Sequence, residues 1–420
     1  MATLALINID MHGHVNPTLG LTAELVRSGH RVYFYCAEEF RDAVTGLGAI
    51  FMPYPSEFGK ATAETAKLQA LATADGKAPP RQASVMTRFM AEFARTFGPL
   101  QKSLSTVKPD FIIYDFVSLA TKIIASNLKV PTIKFFTTYA SNEHYNLLSQ
   151  SFAKHDYPSP EDLQLAQTLI DQQCAAVGYE GISLIQSMGL IDDQNLVFLP
   201  RALQPKGATF DSRFHFVGPC FEPVHSEEAK ALIPKGDGPV LIVSLGSLFH
   251  EWPEFFQNCI KAFGNTPWRV VMSIGKRLDR NLLGEIPANI NIQAHIPQVA
   301  LLPQADVFIS HGGMNSTMES LSYGVPLVVI PQIEEQGITA RQVASLGLGV
   351  HLDRSAVDAV ALKTAVQQVF TNSSVQEKVA TIQEQIQEAG GPKRGREVIE
   401  SILAMQLTLN VSNNTTINTY

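Results

Sequence analysis

DVFISHGGMNSTMESLSYGVPLVVIPQIEEQ, residues 306–336, is the stretch on which the fold turns. Asp306 to Ile309 is an apolar run short enough for a buried strand, His311-Gly312-Gly313 is a tight turn, and Met314 begins a helical pattern. A second apolar run at 326–330 restarts a strand. Two strands joined through a helix lie parallel, and a parallel sheet needs helices over both faces. The same alternation extends outward, with strands predicted at Val240 to Leu245, 268–274 and 290–294. Helices are predicted at 358–370, 373–389 and 393–406.

Upstream the pattern repeats. Leu4 to Ile9 reads as a strand, Pro17 to Gly29 as a helix with proline in its first turn, Arg31 to Cys36 as a strand, Glu38 to Leu47 as a helix and Ala49 to Met52 as a strand. Residues 55–83 break the period and read as a surface loop or short helix. Ser84 to Leu104 is an amphipathic helix, and Phe111 to Tyr114 a strand ending at Asp115. Val117 to Asn127 is a helix, Pro131 to Phe136 a strand, and 143–190 mainly helical. Proline, glycine and charge cluster at 218–238 as a linker would. The expected organisation is α/β: a first doubly wound domain at 1–217, the linker at 218–238 and a second domain at 239–392. A final helix is expected at 393–408, and 409–420 as a polar, frayed tail. Ligands of such sheets sit beyond the carboxyl ends of the strands.

Composition narrows the function. Of 420 residues, 45% are hydrophobic and 17% charged, which is globular rather than disordered. The 32 Lys and Arg against 39 Asp and Glu give a net charge of −7, and no nucleic-acid partner is expected of an acidic chain. No run reaches about 18 apolar residues, so no integral membrane segment is expected. The N-terminus lacks a basic n-region and a small-residue cleavage site, and the four cysteines are far apart, which together suggest a cytoplasmic protein with reduced thiols. Asp192-Asp193 reads as surface charge.

Two segments carry chemistry. A Gly-Gly turn before a helix lets backbone amides approach an anion, and the helix start adds unpaired N–H groups and a positive dipole end. Asn315 and Ser316 add donors in the first turn, and Glu319 lies on the same face as Asn315. The same features also describe an ordinary N-cap. The second segment is His12-Gly13-His14-Val15-Asn16-Pro17 after the first strand. His14 with Asp115 would form a base and its orienting carboxylate; separately, each also suits a structural role, and the HxH spacing has no further ligand cluster to make a metal site.

The segment at 306–336 resembles the donor signature of the family 1 UDP-glycosyltransferases: His-x-Gly-x-Asn-Ser-x-x-Glu, Gly-Val-Pro, then an acidic residue and Gln. Here these are His311, Gly313, Asn315, Ser316, Glu319, Gly324-Val325-Pro326 and Glu335-Gln336. His295-Ile296-Pro297-Gln298 is similar to the family's Trp-x-Pro-Gln, with His295 in place of Trp. Ser244-Leu245-Gly246-Ser247 is similar to its Phe-Gly-Ser turn, and Met314 stands where many relatives carry Trp. Gly13-His14-Val15-Asn16-Pro17 and Lys108 to Asp115 resemble the base and orienting-Asp segments. The likeness is nearest to bacterial macrolide-type and flavonoid-active enzymes.

The resemblance implies a GT-B type fold, two Rossmann-like domains facing a cleft, and an inverting transfer of a hexose, glucose first, from a UDP-sugar to a hydroxyl of a small hydrophobic acceptor. It implies His14 as base, Asp115 as its partner and a final helix at 393–408 that crosses back to the first domain. His311, Gly313, Asn315, Ser316 and Ser247 would serve the diphosphate, Glu319 the ribose, His295 and Gln298 the base, and Glu335 and Gln336 the sugar. Tyr139, Asn142 and His144 are acceptor-side candidates by position. No cofactor and no metal are expected, the UDP-sugar being a co-substrate. Three rival readings stand beside this one: a UDP-sugar epimerase, a non-catalytic partner of a transferase, and a nicotinamide oxidoreductase. The last lacks a Gly-x-Gly-x-x-Gly after a strand.

Overall fold

The computed structural model describes residues 1–62, 64, 85–147, 150, 159–180, 183, 192–221, 226–246 and 251–417. They form two compact units: one from 1–198, 208–221 and 390–420, the other from 199–207 and 222–389. The chain thus leaves the first unit at 221, and residues 199–207, which the sequence groups with the first domain, pack with the second.

In the first unit, in chain order, lie β1 (Thr3–Ile7), α1 (His12–Arg27), β2 (Arg31–Cys36), α2 (Arg41–Gly46), β3 (Ile50–Pro53), α3 (Val85–Val107), β4 (Phe111–Asp115), α4 (Leu119–Leu128), β5 (Thr132–Phe136), α5 (Pro160–Ala175), β6 (Asn195–Val197) and β7 (Phe214–Phe216). All pairings are parallel, in the order β3-β2-β1-β4-β5-β6-β7. Side chains alternate across a strand, so each strand feeds two cores. Leu4, Leu6, Phe111, Ile113 and Phe135 face one way, onto α1; Ala5, Ile7, Ile112 and Tyr114 face the other, onto α3, α4 and α5. Burial on both faces explains why these strands read as continuous apolar runs.

The second unit contains α6 (Glu227–Lys230), β8 (Val240–Ser244), α7 (Pro253–Phe263), β9 (Arg269–Ser273), β10 (Ile290–Gln293), α8 (Gln298–Leu301), β11 (Val307–Ser310), α9 (Met314–Ser322), β12 (Leu327–Val329), α10 (Glu334–Leu346), β13 (Gly349–His351), α11 (Ala359–Thr371) and α12 (Ser373–Ala389). Its parallel sheet runs β10-β9-β8-β11-β12-β13. The last helix, α13 (Gly391–Ile417), returns to the first unit. There Val398, Ile399 and Ile402 pack into the core beside Leu21 and Leu25 of α1. Arg396 reaches Glu24 at 3.3 Å, and Glu400 receives His30 at 3.2 Å.

Several expectations need correction. Helix α1 starts at His12, five residues before Pro17, which therefore lies inside the helix. Residues 409–417 continue α13 instead of fraying, since no glycine or proline follows Gly395 to stop the helix. The short strands β6, β7 and β13 lie outside the predicted strands. Asp192 is not surface charge but buried, 4% exposed, and receives the Tyr114 hydroxyl and the Lys122 ammonium, with Lys134 Nζ at 3.5 Å. Burial alone would raise its carboxyl, but the two lysines hold it below the usual range. All four cysteines are free and buried.

Candidate functional site

In each sheet the strand order reverses at one point, between β1 and β4 in the first unit and between β8 and β11 in the second. Loops leaving such a pair of strands diverge to opposite faces and open a crevice at their carboxyl ends. His14 and Asp115 lie at the first of these points and His311, Gly313, Asn315 and Ser316 at the second, whereas His295, Glu335 and Gln336 follow other strands of the second sheet and Tyr139, Asn142 and His144 follow β5.

In the first unit, His14 occupies the opening turn of α1, its amide donating to the Met11 carbonyl at 2.9 Å. Asp115 ends β4, the strand paired directly with β1. His14 Nδ1 and Asp115 Oδ2 are 2.6 Å apart. Asp115 is wholly buried, whereas the His14 side chain is 15% exposed. Asp115 Oδ1 also accepts the Val117 amide at 2.9 Å, so one carboxylate both shapes the turn before α4 and orients the imidazole. The His14 ring stacks on Phe116 (5.8 Å, 24°), which stacks on Phe136 (5.2 Å, 18°). With Nδ1–H committed to a buried carboxylate, Nε2 is the nitrogen able to take a proton, and the carboxylate stabilises the imidazolium that results. His12 packs edge-on to Phe40 at 4.8 Å instead. Among the described residues, no three His, Cys, Asp or Glu side chains gather as a metal site.

At the second reversal, β11 delivers His311 and the turn that opens α9. Gly312 sits at φ +84°, a left-handed conformation suited to glycine. His311 lies between two glycines: a Cβ at Gly246, which follows β8, would come within 2.6 Å of its ring, and one at Gly313 within 2.5 Å. Its Nδ1 is buried with no hydrogen-bond partner among the described residues. Burial pushes the imidazole down to about 4, so at neutral pH it acts as an uncharged hydrogen-bonding group. One turn into α9, Gln298 Nε2 donates to Glu319 Oε2 at 2.5 Å and to Ser316 Oγ at 3.1 Å. Burial raises the Glu319 carboxyl to about 7, against the opposing hydrogen bond from Gln298. Asn315 is half-buried on the same helix, and His295 is exposed. On the neighbouring strand's turn, Glu335 is exposed in the first turn of α10, and buried Gln336 accepts the Gln332 amide through Oε1 at 2.8 Å.

Ser247 lies outside the described residues, as does most of 55–83. Tyr139 is buried and His144 exposed. Asn142 is buried and ties its loop to a later segment: Nδ2 donates to the Thr209 carbonyl and hydroxyl, and Oδ1 accepts the His144 and Tyr145 amides. Its amide is therefore spent on loop structure. Sequence reasoning missed Gly246 as the wall against His311 and Phe116 as the platform under His14. Both depend on contacts across the reversal points, which no sequence period encodes.

Comparison with known proteins shows which family the chain is similar to. Residues 258–405 match the family model described as "Erythromycin biosynthesis protein CIII-like, C-terminal domain". The chain is 38% identical over 400 residues to the NDP-glycosyltransferase YjiC of Bacillus subtilis, covering 95% of this chain and 97% of that one. It is 31% identical to the demethyllactenocin mycarosyltransferase of Streptomyces fradiae, over 96% of this chain and 87% of that protein. Among solved structures, the calicheamicin glycosyltransferase CalG4 superposes with a TM-score of 0.82 at 31% identity, covering 96% of this chain and 99% of the other.

Proposed function

The chain belongs to the family 1 glycosyltransferases of bacteria, with a GT-B fold, and on that premise we propose that it transfers a hexose, glucose first, from a UDP-sugar to a hydroxyl of a small hydrophobic acceptor. The acceptor class is a flavonoid, another phenolic or a macrolide. The observation that carries the reading is the 2.6 Å contact between buried Asp115 and His14 at the first reversal point.

In the proposed reaction, His14 Nε2 removes the acceptor proton while Asp115 fixes the tautomer and stabilises the imidazolium. The acceptor oxygen forms a bond to the anomeric carbon on the face opposite the departing UDP, and an α-linked donor gives a β-linked product. The bond from that carbon to the diphosphate oxygen breaks, and the N-terminus of α9 with His311, Asn315 and Ser316 receives the developing charge. We expect no metal to be needed, since helix amides and these side-chain donors would neutralise that charge and no Asp-x-Asp motif follows a strand. Glu319 would accept from the ribose hydroxyls, and Glu335 and Gln336 would meet the sugar. Those two lie in the first turn of α10, which follows β12, the neighbour of the strand that leads into the phosphate turn.

The test is acceptor-dependent UDP release from UDP-glucose over a flavonoid and macrolide panel, comparing wild type with His14→Ala, each with and without EDTA. Release that EDTA spares and the substitution abolishes supports the reading. UDP-sugar turnover that survives His14→Ala, with no acceptor needed, would replace it with an epimerase.

A further inference from the structure

Asp10 is 7% exposed, and no step above uses it. It lies between β1 and α1, four residues before His14. Its Oδ1 accepts the Ser56 hydroxyl at 2.9 Å and the Gly59 amide at 2.7 Å. Oδ2 accepts the Lys60 amide at 3.3 Å, and the Asp10 amide donates to Ser56 Oγ at 3.2 Å. Gly59 and Lys60 belong to the opening of the helical residues 58–62. Such a turn is ordinarily capped by a side chain just before it; here the capping carboxylate comes from the loop that carries the base. The two backbones are pressed together, for a Cβ at Gly59 would lie 2.3 Å from the Asp10 carbonyl oxygen and 2.7 Å from Met11 Cγ.

A second carboxylate grips the same turn from the other side. Glu92 of α3, 4% exposed, accepts the Glu57 amide at 3.1 Å, and Arg95 bridges Glu92 (3.6 Å) and Glu57 (2.9 Å). Phe58 and Phe89 meet across this junction with centroids 5.2 Å apart, and both remain partly exposed. Buried carboxylates are costly unless paired; Asp10 meets three donors of this turn, whereas Glu92 Oε1 has no hydrogen-bond partner among the described residues, so Asp10 does most to fix the turn.

We propose that Asp10 and Glu92 clamp the 56–60 turn to the loop carrying His14, so that Phe58 and Phe89 form an apolar wall that binds the acceptor's hydrophobic body. Asp10 is then a positioning residue for acceptor selectivity. The inference rests on the transferase reading and adds to it the residues that select the acceptor. A misplacement of about 1 Å of a group that positions substrate can cost on the order of 10²-fold in rate, so the clamp has leverage without touching the ligand.

The test uses the full-length protein and the variants Asp10→Ala, Asp10→Asn and Phe58→Ala, with a planar phenolic acceptor and a small aliphatic alcohol. Calorimetric binding of the phenolic acceptor is measured beside initial rates, so the wall is read even where no transfer occurs. The expected result is acceptor binding weakened about tenfold in Asp10→Ala and Phe58→Ala, less in Asp10→Asn, whose carbonyl can still accept from Ser56 and Gly59. UDP binding should stay within about twofold, and the preference for the phenolic over the aliphatic acceptor should collapse. If Asp10→Ala does not fold, the other two variants carry the test. Unchanged acceptor binding in Asp10→Asn and Phe58→Ala, or equal weakening of acceptor and UDP, overturns the proposal. Tight acceptor binding lost in these variants, with no sugar transfer by wild type, would keep the wall and sink the transferase reading.

Discussion

Replacing Asp115 by Asn removes a charge and almost no volume. In the wild type, Oδ1 holds the Val117 amide at 2.9 Å and Oδ2 holds His14 Nδ1 at 2.6 Å, in a site with no solvent exposure at the carboxylate. The Asn carbonyl can keep only one of these. If it keeps Val117, the amide NH2 faces Nδ1 and forces the imidazole proton onto Nε2, so the nitrogen meant to accept a proton already carries one. The imidazolium that forms during transfer also loses its counter-charge. Charges about 4 Å apart at an effective dielectric near 20 interact by about 4 kcal/mol. At about 1.4 kcal/mol per decade, that is on the order of 10³-fold in rate. The assay is kcat/KM for the acceptor at saturating UDP-glucose, with UDP affinity measured in parallel. UDP affinity should hold, because the proposed donor residues belong to the other unit. A loss smaller than about threefold, with the fold intact, would refute Asp115 as the orienting carboxylate.

The pair His311 and Glu319 sets opposing pH dependences. His311 is depressed to about 4, so its contribution to stability is present above the ordinary imidazole value near 6.5 and is lost as pH falls towards 4. Glu319 is raised to about 7, so its contribution is present below the ordinary carboxyl value of 4.5 and is lost as pH rises through 7. Glu319→Gln should therefore unmask a melting temperature that climbs from pH 4.5 to 6.5; a curve parallel to wild type would contradict this. UDP affinity in the wild type should tighten as pH rises through 7, when Glu319 ionises to accept from the ribose, and titration calorimetry should find that slope missing in Glu319→Gln. Gly246→Ala meets the His311 ring at 2.6 Å and forces a left-handed residue at φ +78°, at a backbone cost of about 1–2 kcal/mol. It should weaken UDP binding while sparing acceptor affinity, read by calorimetry on both ligands. Asp192→Ala leaves two lysines without their shared carboxylate and should cost on the order of 3–5 kcal/mol, measured as a fall in the denaturation midpoint with urea.

The parallel architecture was legible because the central strands are buried on both faces. Runs such as Phe111 to Asp115 and Val240 to Ser244 need no partner to be recognised. Helix ends were less legible where local and tertiary preferences compete. Pro17 suggests a helix start, yet the helix begins at His12, as the Met11 carbonyl accepts the His14 and Val15 amides. Buried charge was not legible at all. Asp192 looks like any loop aspartate until the sheet brings Tyr114, Lys122 and Lys134 around it.

Residue identity and spacing alone determined the alternating strands and helices, the turn at His311 to Gly313 and the His14 motif, because these are local patterns written in consecutive residues. Only the tertiary structure decided which of those residues meet. His14 and Asp115 are 101 positions apart and touch because β1 and β4 are neighbours where the strand order reverses. Gly246 closes on His311 for the same reason in the other sheet. Asp10 holds residues 56–60 across 46 positions or more, a contact that depends on two backbones approaching within the reach of a glycine. Strand order is set by which faces bury best together, and no single segment of the chain carries that information.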